Sequence, residues 1–175
     1  TSHTGSGTLT LRFGTISGST FTEDTAHNPA AIAVPSGATL ADVAAAINAA
    51  NAGVSAYVAQ GADGAHLMLK GSEGAANGFI LEASETAGDE GLAALAWTPA
   101  AAPDRLKASA QNAEFKLDGL AMTSPSNKIN DVVPGLSLAL TGTNTGAPTT
   151  LRFSDPTAAA TTFMQDLTSA LNELV

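Results

Sequence analysis

Two pairs of adjacent acids, Glu23 with Asp24 and Asp89 with Glu90, and three histidines, His3, His27 and His66, are the side chains best suited to chemistry in this chain. Catalysis by two carboxylates needs surroundings that push their pKa values apart. Both acidic pairs flank loops and nothing beside them would raise either pKa, so each reads as solvated surface. The histidines fall on a tail, a loop and a strand, with no partner at the short spacing of a zinc site. "GSEGAANG" (71–78) has the glycine content of a phosphate-binding loop but lacks the GK[ST] ending and the helix that follows it. No serine sits in G-x-S-x-G, and the absence of cysteine excludes thiol chemistry and disulfides. The expectation is no catalytic residue, no cofactor-binding residue, no metal ligand and no enzyme activity.

The bulk composition agrees. Charged residues make up 13% of the 175, against roughly 25% in ordinary soluble domains. Alanine and glycine fill the gap. Small side chains bury little area each, so the core should be thin. A net charge of −9 with seven scattered basic residues excludes nucleic acid, which needs clustered Lys and Arg to displace counterions, and disfavours anionic membrane surfaces. No apolar run is long enough to cross a bilayer. The chain opens without Met and stops inside a helical pattern, as an excised fragment would.

The elements expected to position these residues are mostly strands. After a flexible lead (1–7), "TLTLRF" (8–13) alternates Leu9, Leu11 and Phe13 against Thr8, Thr10 and Arg12, the period of a half-buried strand. A turn-rich stretch follows, with a short strand near 32–34. In "TLADVAAAINAANAG", Thr39 and Asp42 form a capping box, Leu40, Val43, Ala44 and Ile47 make one apolar face, and Gly53 supplies the C-terminal stop. "VSAYVAQ" and "AHLMLKG" flank the turn "GADG" (61–64), a hairpin. "FILEA" (79–83) is the next strand. Residues 84–104 read as loop, with an apolar patch at 92–97 and an Ala/Pro linker at 99–103. "AEFKLDGLAMT" is a second hairpin about Asp118 and Gly119. Pro134 and Gly135 make a corner before the alternating "LSLAL", and "TTLRF" (149–153) closes the β segment. Asp155 as N-cap and Pro156 at N1 open a final helix, whose stripe is Phe163, Leu167, Ala170, Leu171 and Leu174.

Two stretches carry a family resemblance. "GTLTLRFG" with "ATLADVAAAINAANAGVSAYVAQGADGAHLMLKGSEGAANGFIL" resembles the flagellin hook IN motif through Thr39, Leu40, Asp42, Ile47, Asn48, Gly53, Val54, Asp63 and Gly64. "AQNAEFKLDGLAMTSPSNKINDVVPGLSLALTG" is similar to a segment of the flagellar filament cap family (hook-associated protein 2). The matching residues are Ala110, Ala113, Asp118, Gly119, Ser126, Asn127, Ile129, Asp131, Pro134, Gly135 and Leu136. Asn112 stands where that family more usually has aspartate, a change expected to alter a local turn bond.

The resemblance implies an α+β fold, mainly antiparallel β, in two small head domains: an IN-type β-α-β-β unit at 14–104, and a β domain of 1–13 with 105–154, followed by the start of a leg helix at 155–175. The 8–13 strand is placed with the second domain because 149–153 echoes it. The implied function is structural. Several copies would form a plate at the distal tip of a growing flagellum, outside the cell, and promote insertion of flagellin; the partners are the protein itself and flagellin, with no nucleic acid and no membrane. Export would proceed without a cleaved signal peptide. A tip adhesin binding host glycans or mucin is the rival of a different class, although a single Tyr and a single Trp offer little surface for stacking sugars. A hook–filament junction protein or a flagellin with an IN insert would have no reason to carry the 110–140 pattern.

Overall fold

Leu9, Leu11 and Phe13 lie on one side of β1 (Gly7–Ser17) and are 0%, 0% and 3% exposed. The computed structural model describes residues 3–144, 146–152, 161, 163–167 and 169. In it β1 is the centre of a four-stranded antiparallel sheet. On one side it pairs with β3 (Ala30–Val34) from Gly7↔Val34 to Leu11↔Ala30, and farther along with β2 (Thr20–Glu23). On the other it pairs with β6 (Gly78–Glu85) over Gly7↔Glu85 to Gly14↔Gly78.

This pairing corrects the placement of the 8–13 strand. It belongs to the IN-type unit and not with 105–154, because both of its edges are taken by β3 and β6. The 149–153 segment that echoes it is not a strand over its described residues 149–152, and Leu151 is 50% exposed. Alternation marks a strand only where an edge is open to receive it. The expected flexible lead is also corrected over 4–6. Thr4, Gly5 and Ser6 are buried, with Thr4 N–H donating to Ala38 O (2.9 Å) and Ser6 N–H to Asp89 O (3.0 Å).

Helix α1 (Leu40–Ala49) begins at the expected capping box. The Asp42 N–H donates to Thr39 Oγ1 (3.3 Å), and the Thr39 N–H donates to Asp42 Oδ2 (2.9 Å). Val43, Ala44 and Ile47 are buried, whereas Leu40 sits at the margin. The helix stops earlier than Gly53. Ala50 is the C-cap and Asn51 takes a left-handed φ of 49° directly after it; Asn tolerates that region better than other residues with a side chain.

Strands β4 (Val54–Gly61) and β5 (Gly64–Gly71) form the expected hairpin, closed at Gly61↔Gly64. Val54, Ala56, Val58, Leu67 and Leu69 turn toward α1 and the sheet. With Leu9, Leu11, Ile32, Val34, Ile47, Leu81 and Leu92 they make one core. Each fully buried Leu or Ile there contributes about 1.5–3 kcal/mol.

The 84–104 stretch is less loop-like than its sequence suggests. A 3-10 turn at Leu92–Leu95 buries Leu92 completely. Trp97 then bonds β6 through both main-chain groups, its N–H to Leu81 O (2.7 Å) and its C=O from Leu81 N–H (2.9 Å). Pro99 is fully buried, so the Ala/Pro run at 99–103 is not a free linker. It folds back on Trp97 and Thr98: the Trp97 indole N–H donates to Ala102 O at 2.9 Å, and the Ala102 N–H donates to Thr98 O at 3.1 Å.

Two more hairpins follow. β7 (Ala113–Leu117) and β8 (Leu120–Ser124) join through Asp118 (φ 50°) and Gly119 (φ 84°), the two left-handed residues of a type I′ turn. β9 (Lys128–Val133) and β10 (Leu136–Ala139) join through Pro134 and Gly135. β9 lies between the Asp118–Gly119 hairpin and the Pro134–Gly135 corner, where no strand is expected from the sequence. Its pairing slips between Leu136 and Leu138, where Asp131 has φ 51°; a bulge there hides the period-2 pattern.

The backbone divides into a unit of residues 1–140 and one of 141–175. In the second, Asn144 Nδ2 donates to Ala147 O (3.2 Å), and Thr161, residues 163–167 and Ser169 are helical, with Phe163, Met164 and Leu167 exposed. The expected caps Asp155 and Pro156, and Ala170, Leu171 and Leu174 of the stripe, lie outside the described residues. The whole is α+β and mainly antiparallel.

Candidate functional site

The side chains best suited to chemistry are held apart. Glu23 pairs with Arg12 Nη1 at 2.9 Å, and Arg12 Nε reaches Glu82 at 2.8 Å, a cross-strand ladder on the outer face of the sheet. Asp24 closes a turn by accepting the Ala26 N–H (3.0 Å). His27 stacks on Phe13, ring centroids 4.1 Å apart. His66 meets Asp63 at 2.7 Å across the β4–β5 turn, and His3 lies 3.8 Å from Asp89. Among the described residues, no group of three His, Cys, Asp or Glu side chains could hold a metal ion.

The electrostatics point the same way. Asp42 is held below the usual carboxylate range by the Thr39 hydroxyl and then the Thr39 N–H. Asp63 is lowered by His66. Glu85 is lowered by the N–H groups of Ala93 and Gly91, each donating to Oε1 at 2.7 Å. Asp89 is lowered by the Ser36 and Ser6 hydroxyls. A general acid needs a raised pKa; these four carboxyls are moved downward. An open groove of about 550 Å³ is lined by Asn48, Asn51, Gly53, Val54, Ser55, Lys70, Gly71 and Ser72. Lys70 is its one ionisable side chain, so it has no acid–base pair.

The motif residues do position backbone. Asn48 pairs both halves of its carboxamide with the main chain of Ala56, tying α1 to β4. Asn112, expected to touch a local turn, instead accepts the Ala75 N–H at 2.8 Å across 37 residues. Asn127 contributes its main chain: its N–H donates to Glu73 Oε2 (3.3 Å) and its C=O accepts from Leu140 (2.8 Å). The local turn bonds are made by serines. Ser124 Oγ donates to Ser126 O (2.8 Å), and the Lys128 N–H donates to Ser126 Oγ (3.1 Å). Sequence reasoning missed Glu73 and Glu85 altogether, since a carboxylate that binds main chain many residues away leaves no local pattern.

The distinctive residues of this fold fix loops, turns and the docking of its helix. Two family models match it in succession: "Flagellin hook IN motif" at residues 8–73 and "Flagellar hook-associated protein 2 C-terminus" at 110–175. The chain is 31% identical, over 97% of its own length, to the B-type flagellar hook-associated protein 2 of Pseudomonas aeruginosa, and spans 36% of that relative. The crystal structure of FliD (HAP2) from Pseudomonas aeruginosa PAO1 matches with a TM-score of 0.69 and 32% identity, covering 97% of this chain and 76% of that one. The D1-D2-D3 domains of the Escherichia coli flagellar cap protein FliD share the fold, with a TM-score of 0.60 at 24% identity over 82% of this chain and 40% of that one. The chain belongs to the flagellar hook-associated protein 2 family.

Proposed function

We propose that this chain is the head region of a flagellar filament cap and acts sterically, with no bond chemistry. Several copies would assemble into a plate at the distal tip, outside the cell, beneath which flagellin subunits insert. The IN-type unit and the two hairpins after it would supply the rigid parts of that plate. Export without a cleaved leader fits the same reading. The observation that carries it is the succession of two family matches, at 8–73 and 110–175, in one chain. The first alone would fit several flagellar axial proteins; the second separates a cap from a flagellin or junction protein with an IN insert.

A domain exchange tests the reading. The matching region of the Pseudomonas aeruginosa hook-associated protein 2 is replaced by this chain in a strain lacking its own cap protein. Regained filaments and swimming are expected. A hybrid that is exported in normal amount while flagellin leaks unpolymerised into the medium would overturn the proposal.

A further inference from the structure

The strands β7 to β10 form ladders only within their own hairpins; none joins the four-stranded sheet or the β4–β5 hairpin. Polar bonds from one short loop, residues 72–78, tie them to the rest of the 1–140 unit. Glu73 Oε2 accepts from Ser126 Oγ and from the Asn127 N–H, each at 3.3 Å. Asn112 Oδ1 accepts the Ala75 N–H at 2.8 Å. Gly74 (φ 97°) lies against Pro125, where a Cβ would come within 3.0 Å of Pro125 O.

Both sides of this contact are stiffened internally. In the loop, the Asn77 carboxamide donates to Glu73 O and the Asn77 N–H donates to Gly74 O (2.9 Å). On the hairpin side, Ser124 is buried and brackets Ser126 with two bonds of 2.8 and 3.2 Å. Asn127 faces Glu73 with its N–H while its C=O closes β9–β10 through Leu140. Of the bonds between the two sides, the two from Glu73 are the weakest, whereas the Asn112–Ala75 bond has ordinary length at 2.8 Å. At 3.3 Å the Glu73 bonds are long, and Glu73 is exposed, so water can replace them at little cost.

We propose that the 72–78 loop is a latch: it sets the orientation of the two hairpins on the sheet, and the hairpins swing when Glu73 gives up Ser126 and Asn127. The β7–β8 and β9–β10 hairpins are separate ladders, and elements held to a sheet by a few polar bonds can move about the connecting residues as a hinge. This claim concerns the chain itself and stands whether or not the cap reading holds.

The chain has no cysteine, so pairs of spin labels can be placed freely. One pair joins Thr22→Cys on the sheet to Lys116→Cys on β7; a control pair, Thr22→Cys with Ala31→Cys, stays within the sheet. The latched chain should give one narrow distance for the first pair. Glu73→Ala should produce a second distance or lose the narrow one, Asn112→Ala should do the same, and Glu73→Gln, which keeps an acceptor, should stay close to the parent. The control distance should be unchanged in all of them, which also reports that the sheet has folded. A first-pair distance that is equally narrow in the parent, Glu73→Ala and Asn112→Ala, or already broad in the parent, overturns the latch.

Discussion

Asn48 meets Ala56 with both ends of its carboxamide: Nδ2 donates to Ala56 O at 2.7 Å, and the Ala56 N–H donates to Oδ1 at 2.8 Å. The side chain takes the place of a neighbouring strand at that point of β4, so one residue of α1 both docks the helix and satisfies the outward main-chain groups of a strand.

Replacing Asn48 with Ala should therefore unpair two main-chain groups at once. The site is partly open to water, so the loss should be about 1 kcal/mol rather than the larger cost of a sealed site. Asn48→Asp should be at least as damaging, because it keeps the acceptor but turns the donor into an oxygen facing Ala56 O. Urea unfolding measures both; equal stability in all three proteins would show that the pair is idle.

At Gly135 the expected cost is torsional. Its φ is 83° and an added Cβ would meet nothing within 4 Å, so crowding plays no part. Gly135→Val should cost on the order of 1–3 kcal/mol, the range for a side chain forced into the left-handed region, and Gly135→Asn clearly less. Faster amide exchange in Lys128–Val133 and Leu136–Ala139 would locate the loss in the β9–β10 hairpin. An unchanged melting temperature for the valine variant would rule out strain at this corner.

Gly14 presents the opposite case. It is not among the glycines with positive φ, yet a Cβ would lie 2.0 Å from Thr22 O. Gly14→Ala should push β2 off β1, at about 3 kcal/mol, the upper part of the range for forcing extra volume into packed structure. Loss of amide protection at Thr20–Glu23 with β6 still protected is the signature expected.

Stability should fall in acid and stay level from neutral pH down to about 5. Asp42, Asp63, Glu85 and Asp89 are all lowered in the folded chain. A lowered carboxyl stabilises the fold above its unfolded pKa, near 4, and that contribution is lost as pH falls through the folded value, where the unfolded chain binds more protons. Denaturation midpoints measured between pH 7 and 2 check the sign. A midpoint that rises on acidification below pH 4 would contradict it.

What the sequence by itself settled was chemistry confined to a few neighbouring residues. The Thr39–Asp42 box, the alternation of Leu9, Leu11 and Phe13, and the Asp118–Gly119 turn each complete their bonds or their period within a short stretch, so their residues announce them. The family motifs are legible for the same reason, being built around turns and caps. Partnership across long separations was decided only in the tertiary structure. The same alternation occurs at 8–13 and at 149–153, yet the first became the centre of a sheet because β3 and β6 arrive on both sides of it. β9 was concealed by its own bulge at Asp131. Leu92 and Trp97 look like loop until β6 offers them a surface. Asn112 and Glu73 carry acceptors whose donors lie 37 and more than 50 residues away. A hydrogen bond of that reach costs loop entropy that only the packed fold offsets, and no local pattern records where its other end will be.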